Sequence, residues 1–476
     1  MEKVVEHTRS VSIGKVESVF KLQKDAFNRN PYPSLQERLE SLKKLEQLIL
    51  ENQKSIAKAI SEDFGNRAIQ ETKIAEIYGC IEEIRYTRKR LKKWMKIQKR
   101  HVPLLLRGVK NRVLPQPKGV VAIVTPWNYP LLLSVGPLVS AISAGNRCMI
   151  KMAANSRALS ALLHQLFNRF FSEDLVAILP GVSATEFTAQ AYDHMIFTGS
   201  GKVGKVVMRR VADHLTPVTL ELGGKSPAII CGDFDENIAA ERILSSKFFN
   251  AGQTCVAPDY LLIPEEKLSG FLESAKRLVP KWYPSLNSED YTSIVDEKAF
   301  NRLNTCLTDA LEKGAIVLPL LDVENNKGLQ KIAPILVLNP TEDMSLLREE
   351  IFGPILPILT YRNLSDTIDY INSKDRPLAL YIFSSSGDVQ EKIIKSTMSG
   401  GVCINDCAMH VSQADLPFGG VGASGMGQYH AYEGFLEFSK LRPIFTQAKK
   451  SAAVPLRPPY GQRFDKIFNF LLRFKL

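Results

Sequence analysis

A chain of 476 residues has room for two or three domains, and a hydrophobic content of 45 % excludes one that stays unfolded. Seven cysteines, an odd number with no CxxC pair, argue against a disulfide scaffold and for a reducing, cytoplasmic compartment. The formal charge of +11 raises nucleic acid as a partner, but nine Lys and Arg lie in residues 85–100, where Leu91, Trp94, Met95 and Ile97 interleave at helical spacing; this reads as a solvated helix with one buried edge, and no nucleic-acid motif accompanies it.

The opening "MEKVVEHTRS" lacks the apolar core of a signal peptide, and no uncharged apolar run approaches the roughly 20 residues of a membrane span. Residues 1–100 read as helices. "SLQERLESLKKL" starts on Ser34 and carries Glu37 three positions later, a capping box. From 119 the pattern changes to short apolar β-like runs at 119–125, 148–152, 175–180, 194–198, 218–222 and 227–231, with helical runs at 130–144, 156–171 and 203–214. After Gly224 a second series follows, with β-like runs "DYLLIP", "PILVLN", "PILPILTY", "LALYIFSS" and "GGVCIND" and helices near 265–280, 296–313, 364–373 and 387–398. Apolar strands separated by helices indicate mostly parallel sheets covered on both faces, hence two α/β domains in series with a junction around 222–232.

Four stretches carry chemistry. "IFTGSGKVGK" sets Gly199, Gly201 and Gly204 between a strand and a helix; that context suits a phosphate on a helix N-terminus, and equally a turn that needs small residues. Glu221, in "TLELGGKSP", sits where a dinucleotide-binding fold puts its ribose ligand and also where catalytic groups emerge from open α/β sheets. Asn128, in "VTPWNYP", is placed either to donate N–H to a developing oxyanion or to serve as a turn residue between prolines. Cys255, in "FFNAGQTCVAP", stands in a polar, glycine-bearing turn instead of an apolar core. Cys403, Cys407 and His410 do not have the spacing of a zinc site, and no metal is expected.

Taken together, "PWNYP", "FTGSGKVG", "LELGGKSP", "NAGQTC", "EEIFGP" and "LPFGGVGASGMG", in this order over residues 15–445, make the chain resemble the aldehyde dehydrogenase superfamily, and most of all its class 3 branch of fatty-aldehyde and coniferyl-aldehyde dehydrogenases. The resemblance implies an α/β fold of two doubly wound domains plus a small β bridging element used for oligomerisation. Its implied bounds are 1–221 for the helical N-terminal region and dinucleotide-binding domain, and 222–412 for the catalytic domain. A return segment and bridging strand at 413–445 and a tail at 446–476 complete it. The bridging element pairs the segment near 109–118 with the stretch after about 430, and implies a homodimer.

By the same resemblance Cys255 is the nucleophile, Glu221 the general base, and Asn128 the oxyanion donor together with the Cys255 backbone N–H. Gly199, Ser200 and Gly204 match the pyrophosphate loop, and Trp127 lies in the same part of the site. Lys151 matches the adenosine-ribose lysine, and Glu350 and Phe352 match the residues at the nicotinamide ribose. One departure concerns the cofactor: where the family has an acid three residues after the lysine, this chain has Ala154, so NAD or NADP is expected. His410 reads as a loop residue or as part of the substrate entrance. The implied substrates are hydrophobic aldehydes. The rivals are a CoA-acylating relative, which generally lacks a base at Glu221, and a noncatalytic structural or binding relative.

In the tail, Phe464, Ile467, Phe468, Leu471 and Leu472 fall at i, i+3, i+4, i+7 and i+8 among Arg463, Lys466, Arg473 and Lys475. This reads as a helix in a membrane interface, or as one docked on the enzyme's own body or its dimer partner.

Overall fold

A computed structural model describes residues 2–103, 106, 108–449, 451 and 454–473, with side chains from Gly14 onward. The first sheet has six strands, in the order Gly425–Met426, Val218–Leu222, His194–Gly199, Val120–Val124, Arg147–Lys151 and Val176–Ile178. All its pairings are parallel except that of Gly425–Met426 with Val218–Leu222. The chain leaves Val120–Val124 towards one edge and returns on its other side with His194–Gly199, so the strand order reverses between these two. In a doubly wound sheet, ligands bind beyond the strand C-termini at such a point. Here the turn at 125–128 and the turn at Gly199–Ser200 emerge side by side.

The second sheet has seven strands, in the order Ile316–Pro319, Ile335–Leu338, Ile355–Tyr361, Tyr260–Pro264, Pro227–Ile230, Ala379–Phe383 and Gly401–Ile404, with only Ile316–Pro319 antiparallel. Pro227–Ile230, which the sequence pattern leaves continuous with the first series, lies inside this sheet, between Tyr260–Pro264 and Ala379–Phe383. Ile316–Pro319, an antiparallel edge strand, and the helix Glu236–Phe248 are not among the sequence expectations.

A third, antiparallel sheet joins Gln98–Arg100, Lys110–Pro117 and Ser439–Thr446. Its second and third strands come from the two segments read as the bridging element. Ser439–Thr446 is an edge strand, with Leu441 and Phe445 exposed.

The N-terminal helices brace the first sheet. Ser34 caps the helix Leu35–Asp63, its hydroxyl accepting from the Glu37 N–H while Glu37 accepts from the Ser34 N–H, so two end groups that lack helical partners satisfy each other. In the basic helix Gly79–Trp94, Leu91 and Trp94 are buried and Met95 just beyond is half-buried, but Ile97 is exposed because the helix has already ended.

Candidate active site

The cleft forms where the C-terminal ends of the first sheet meet the N-terminal ends of the second. Three turns enter strands of the second sheet here: Gly223–Ser226 before Pro227–Ile230, the Cys255 turn before Tyr260–Pro264, and Glu349–Gly353 before Ile355–Tyr361. They face the turn at 125–128 of the first sheet. The Asn128 Nδ2 donates to the Gln253 carbonyl (3.2 Å), and the Tyr129 hydroxyl meets the Thr254 hydroxyl (2.6 Å).

The turn that carries Cys255 is strained. Asn250, Ala251 and Gly252 have φ of 53°, 50° and 72°, a left-handed run that costs a non-glycine residue on the order of 1–3 kcal/mol. Side chains from far along the chain hold it there. Glu71 accepts from the Asn250 N–H (3.0 Å), and Gln253 donates to the Asn250 and Ser293 carbonyls while accepting from the Val295 N–H. A Cβ on Gly252 would collide with the Gly353 carbonyl, so glycine lets the turn seat against the Glu349–Gly353 loop.

Asn128 is buried and equally constrained. Its backbone carbonyl accepts from Arg67 Nη1 (2.8 Å) and from Asn250 Nδ2 (3.3 Å). Arg67 is fully buried. It pairs with Glu76 at 2.7 Å and lies over the rings of Phe64 and Tyr129. Glu76 in turn accepts from the Leu131 and Leu132 N–H groups at the start of the helix Leu132–Ala144, where the helix dipole favours a negative charge. The Asn128 side chain therefore has one N–H engaged and the other available.

Cys255 is half-buried at the cleft, and its thiol is pushed up to about 12, first by burial and then by the charges of Glu350 and Glu221. Glu221 is fully buried and both its carboxylate oxygens lack a hydrogen-bond partner. Burial, reinforced by Glu437, raises its pKa well above the carboxylate range. A buried acid with no structural partner, in electrostatic reach of a thiol, matches a proton acceptor better than a solvated strand end. Two tyrosines flank Cys255: the Tyr129 hydroxyl meets the Thr254 hydroxyl, and the Tyr381 hydroxyl donates to the Val256 carbonyl.

Glu350 accepts from the Gly224 N–H (3.2 Å), and burial raises its carboxyl to about 8. A Cβ on Gly223 would overlap the Glu350 carboxylate, which explains the glycine at that position. Lys225 ties this corner together by bonding Asp259 and the Leu346 and Glu349 carbonyls; Asp259 also accepts from the Ile351 N–H. Phe352 has a left-handed φ of 50°, and its ring meets Trp127 edge-on at 5.4 Å between centroids. Lys247 adds a fully buried amine with no partner, its pKa lowered to about 8 by burial.

On the first sheet, the Ser200 hydroxyl caps the helix Gly201–Ala212 by accepting from the Val203 N–H. A Cβ on Gly199 would strike the Phe197 ring and one on Gly204 the Leu222 side chain, while one on Gly201 would meet open space. Gly199 and Gly204 thus permit close packing, and Gly201 leaves the helix N-terminus accessible to a pyrophosphate. Lys151 ends the strand Arg147–Lys151, on the far side of Val120–Val124, where burial lowers its pKa; its amine bonds the Met152 carbonyl at 3.2 Å. Helix N-terminus, lysine and buried carboxylate together suit a dinucleotide.

His410 lies outside this constellation, beside the Tyr381 ring at 6.1 Å, with both ring nitrogens buried and without partners. Burial lowers its pKa to about 4, so it is neutral. Among the described residues no group of three or more His, Cys, Asp or Glu is arranged to hold a metal ion, and all seven cysteines are free. Sequence reasoning missed Arg67, Glu71, Glu76, Lys225, Lys247 and Asp259. A signal existed for Glu76: with Glu83 it shares one helical stripe with the apolar Cys80, Ile84 and Leu91.

A family model described as "Aldehyde dehydrogenase family" matches residues 1–444. A "Probable coniferyl aldehyde dehydrogenase" of Pseudomonas aeruginosa is 45 % identical over 459 residues, covering 96 % of each chain. A "Coniferyl aldehyde dehydrogenase" of a Pseudomonas species is 44 % identical over 446 residues, covering 92 % of each. Among solved structures, "Substrate bound state of Staphylococcus Aureus AldH" superposes with a TM-score of 0.90 at 34 % identity, covering 96 % of this chain and 99 % of the other.

Proposed function

The chain belongs to the aldehyde dehydrogenase family, and we propose that it oxidises hydrophobic aldehydes, aromatic or medium- to long-chain aliphatic, to carboxylic acids through Cys255. The oxidation of aldehydes with a nicotinamide cofactor comes with the family; the residue roles and the substrate class are our reading. The two tyrosines that flank Cys255 and the coniferyl-aldehyde names of the two Pseudomonas relatives support the substrate class.

The observation that carries the mechanism is the orphaned, buried carboxylate of Glu221 within electrostatic reach of the Cys255 thiol. As Sγ adds to the aldehyde carbon, Glu221 takes its proton. The oxyanion that forms is held by the available Asn128 N–H and the Cys255 backbone N–H. The nicotinamide cofactor, when bound, supplies the two-electron acceptor for the oxidation of the Cys255 adduct to a thioester. Glu221, once it has released that first proton to solvent, takes a proton from the water that attacks the thioester carbon and passes it to Sγ as the C–S bond breaks, so the thiol is regenerated as the acid leaves. Gly199, Ser200 and Gly204 would hold the pyrophosphate, Lys151 the adenosine ribose, and Glu350 with Phe352 the nicotinamide ribose, beside Trp127. We assign the dinucleotide-binding role to residues 1–221, catalysis to 222–412, a return segment and bridging strand to 413–445, and a tail to 446–476. The open edge of Ser439–Thr446 supports a homodimer, because an exposed strand edge pairs readily with a second chain. The free cysteines support a reducing, cytoplasmic setting.

Glu221→Gln tests this reading. Its turnover should fall by roughly 10²–10⁴-fold, with a burst of about one reduced nicotinamide per site before a slow phase. Because the folded-state pKa of Glu221 is raised, wild-type activity should climb as pH rises through that value and the carboxylate becomes able to accept a proton. The variant should lose that rise. Normal chemistry with a large loss of cofactor affinity would instead make Glu221 a ribose ligand, and a preference for acetaldehyde over aromatic and long-chain aldehydes would overturn the substrate class.

A further inference from the structure

Glu221 has to shed its first proton before it can serve the attacking water, yet it is buried and neither carboxylate oxygen has a partner. The side-chain charge that acts on it is that of Glu437, the last residue of the helix Ala431–Glu437. A chain of three hydrogen bonds fastens Glu437 in place. The Thr219 hydroxyl donates to its Oε1 at 2.6 Å, His194 Nε2 meets the Thr219 hydroxyl at 2.8 Å, and Lys118 Nζ meets His194 Nδ1 at 3.1 Å. Their directions are fixed by chemistry. A carboxylate only accepts, so Thr219 gives its one proton to Glu437; His194 Nε2 then has to donate, and Nδ1 is left to accept from the Lys118 ammonium. Burial holds the His194 pKa well below its usual value and Lys118 adds to this, so the ring is neutral, as that order requires.

The tether places Glu437 beside the base. Thr219 and Glu221 lie two residues apart on the strand Val218–Leu222, so they share a face with Cα atoms about 6.6 Å apart. A Cβ on Gly427, just past the strand paired with this stretch, would lie 3.1 Å from the Glu437 Oε1; glycine leaves the carboxylate its seat. The Glu437 side chain is 26 % exposed and so reaches solvent. The other charged or titratable groups near it are His194 at 3.6 Å and Lys118; Lys440 on the following strand acts on Lys118, and Glu433 lies a turn earlier on the same helix. We propose that Glu437 is the proton outlet of the site, a relay residue that acts through Glu221 and does not touch the substrate. The proton that Glu221 takes from Cys255 crosses intervening solvent water to the Glu437 carboxylate and leaves from there to bulk water. One O–H bond breaks on Glu221 and one forms and breaks on Glu437; both carboxylates end ionised and no electrons move. The outlet rests on the reading of Glu221 as the proton acceptor.

Glu437→Gln in the full-length enzyme tests it. The amide carbonyl can still accept from Thr219, so the tether is kept, but the side chain can no longer take a proton. With saturating cofactor, the first turnover should reduce nicotinamide at the wild-type rate, because the first proton needs only a place on Glu221. Steady-state kcat should fall by about tenfold, less than the roughly 10²–10⁴-fold expected of a group that transfers the proton at the reacting atoms, with KM for the aldehyde little changed. Added imidazole, a small proton carrier, should restore kcat in the variant and leave the wild type unaffected at fixed pH and ionic strength. An unchanged kcat, or a lowered kcat that imidazole does not raise, overturns the proposal. So does a raised kcat: removing a negative charge beside Glu221 eases its ionisation, and faster turnover would make Glu437 only a tuning charge. Glu221→Gln separates the two readings. Wild-type turnover in that variant removes the base itself, whereas slow Glu221→Gln beside normal Glu437→Gln removes the outlet alone.

Discussion

The two turns that meet in the cleft are held by different means. The turn around Cys255 is locked by side chains distant in sequence: Glu71 bonds its backbone, Arg67 reaches it through Asn128, and Gln253 ties it to Ser293 and Val295. It holds two non-glycine residues in left-handed conformations. The Gly199–Ser200 turn is shaped locally, by Phe197 in its own strand and by the Ser200 cap on its own helix, and its helix N-terminus stays open. Bond-making needs donors and acceptor fixed to a fraction of an ångström, so strain there is over-determined from all sides. Binding a cofactor needs only an accessible N-terminus, which a short local motif can supply.

Removing the proposed nucleophile is the harshest test of this contrast. Cys255→Ala should lower turnover on the order of 10⁴-fold or more while cofactor affinity, measured by quenching of tryptophan fluorescence, changes little. The two functions separate because the turns are separately supported. A variant that retains a substantial fraction of activity removes Cys255 from the mechanism; one that also loses the cofactor breaks the contrast.

Arg67 tests whether the distant supports matter. Arg67→Met leaves Glu76 buried without its partner, a change that typically costs about 3–5 kcal/mol of stability. It also releases the Asn128 carbonyl. Adding Glu76→Gln should restore much of the stability, because the uncompensated charge is gone. We expect the double variant still to show kcat reduced by about tenfold with KM for the aldehyde little changed, as a displaced oxyanion donor would give. Full recovery of kcat along with stability would reduce Arg67 to a structural role.

The same contrast explains what could be read beforehand. The strand series, the Ser34 capping box and the turns carrying Gly199, Glu221 and Cys255 were legible because each is encoded within a few residues. Arg67, Glu71 and Glu76 were not. Charged residues in a loop such as Arg67's, or on a helix such as Glu71 and Glu76, ordinarily face water, and the partners Asn128, Asn250 and Thr292 lie 61–221 residues away. Lys225 and Asp259 escaped for the same reason: each looks like a solvated charge until the Glu349–Gly353 loop is folded over it. Pro227–Ile230 was visible as a strand, but periodicity does not say to which of two successive sheets a strand belongs.

The smallest expected effect lies on the open side, at cofactor choice. Ala154 is exposed three residues beyond Lys151, and Arg157 opens the next helix with its Nε donating to the Ala154 carbonyl at 3.3 Å. The two acids that contact this stretch are already engaged. Asp63 accepts from the Ala158 and Leu159 N–H groups, and Asp296 accepts from Asn155 and from the Ala299 N–H of its own helix. Neither replaces the carboxylate missing at 154. Such a carboxylate would repel a 2′-phosphate; like charges about 4 Å apart cost about 1 kcal/mol even in water. With Ala154 that repulsion is absent, and Lys151 and Arg157 supply positive charge. We therefore expect NADP to be used within about tenfold of the efficiency of NAD, a gap of about 1.4 kcal/mol. Ala154→Glu should shift the preference towards NAD by about the same factor and leave kcat with NAD unchanged. Steady-state kinetics with both cofactors decide it: a wild-type preference for NAD of a hundredfold or more would mean that discrimination is built elsewhere in the pocket.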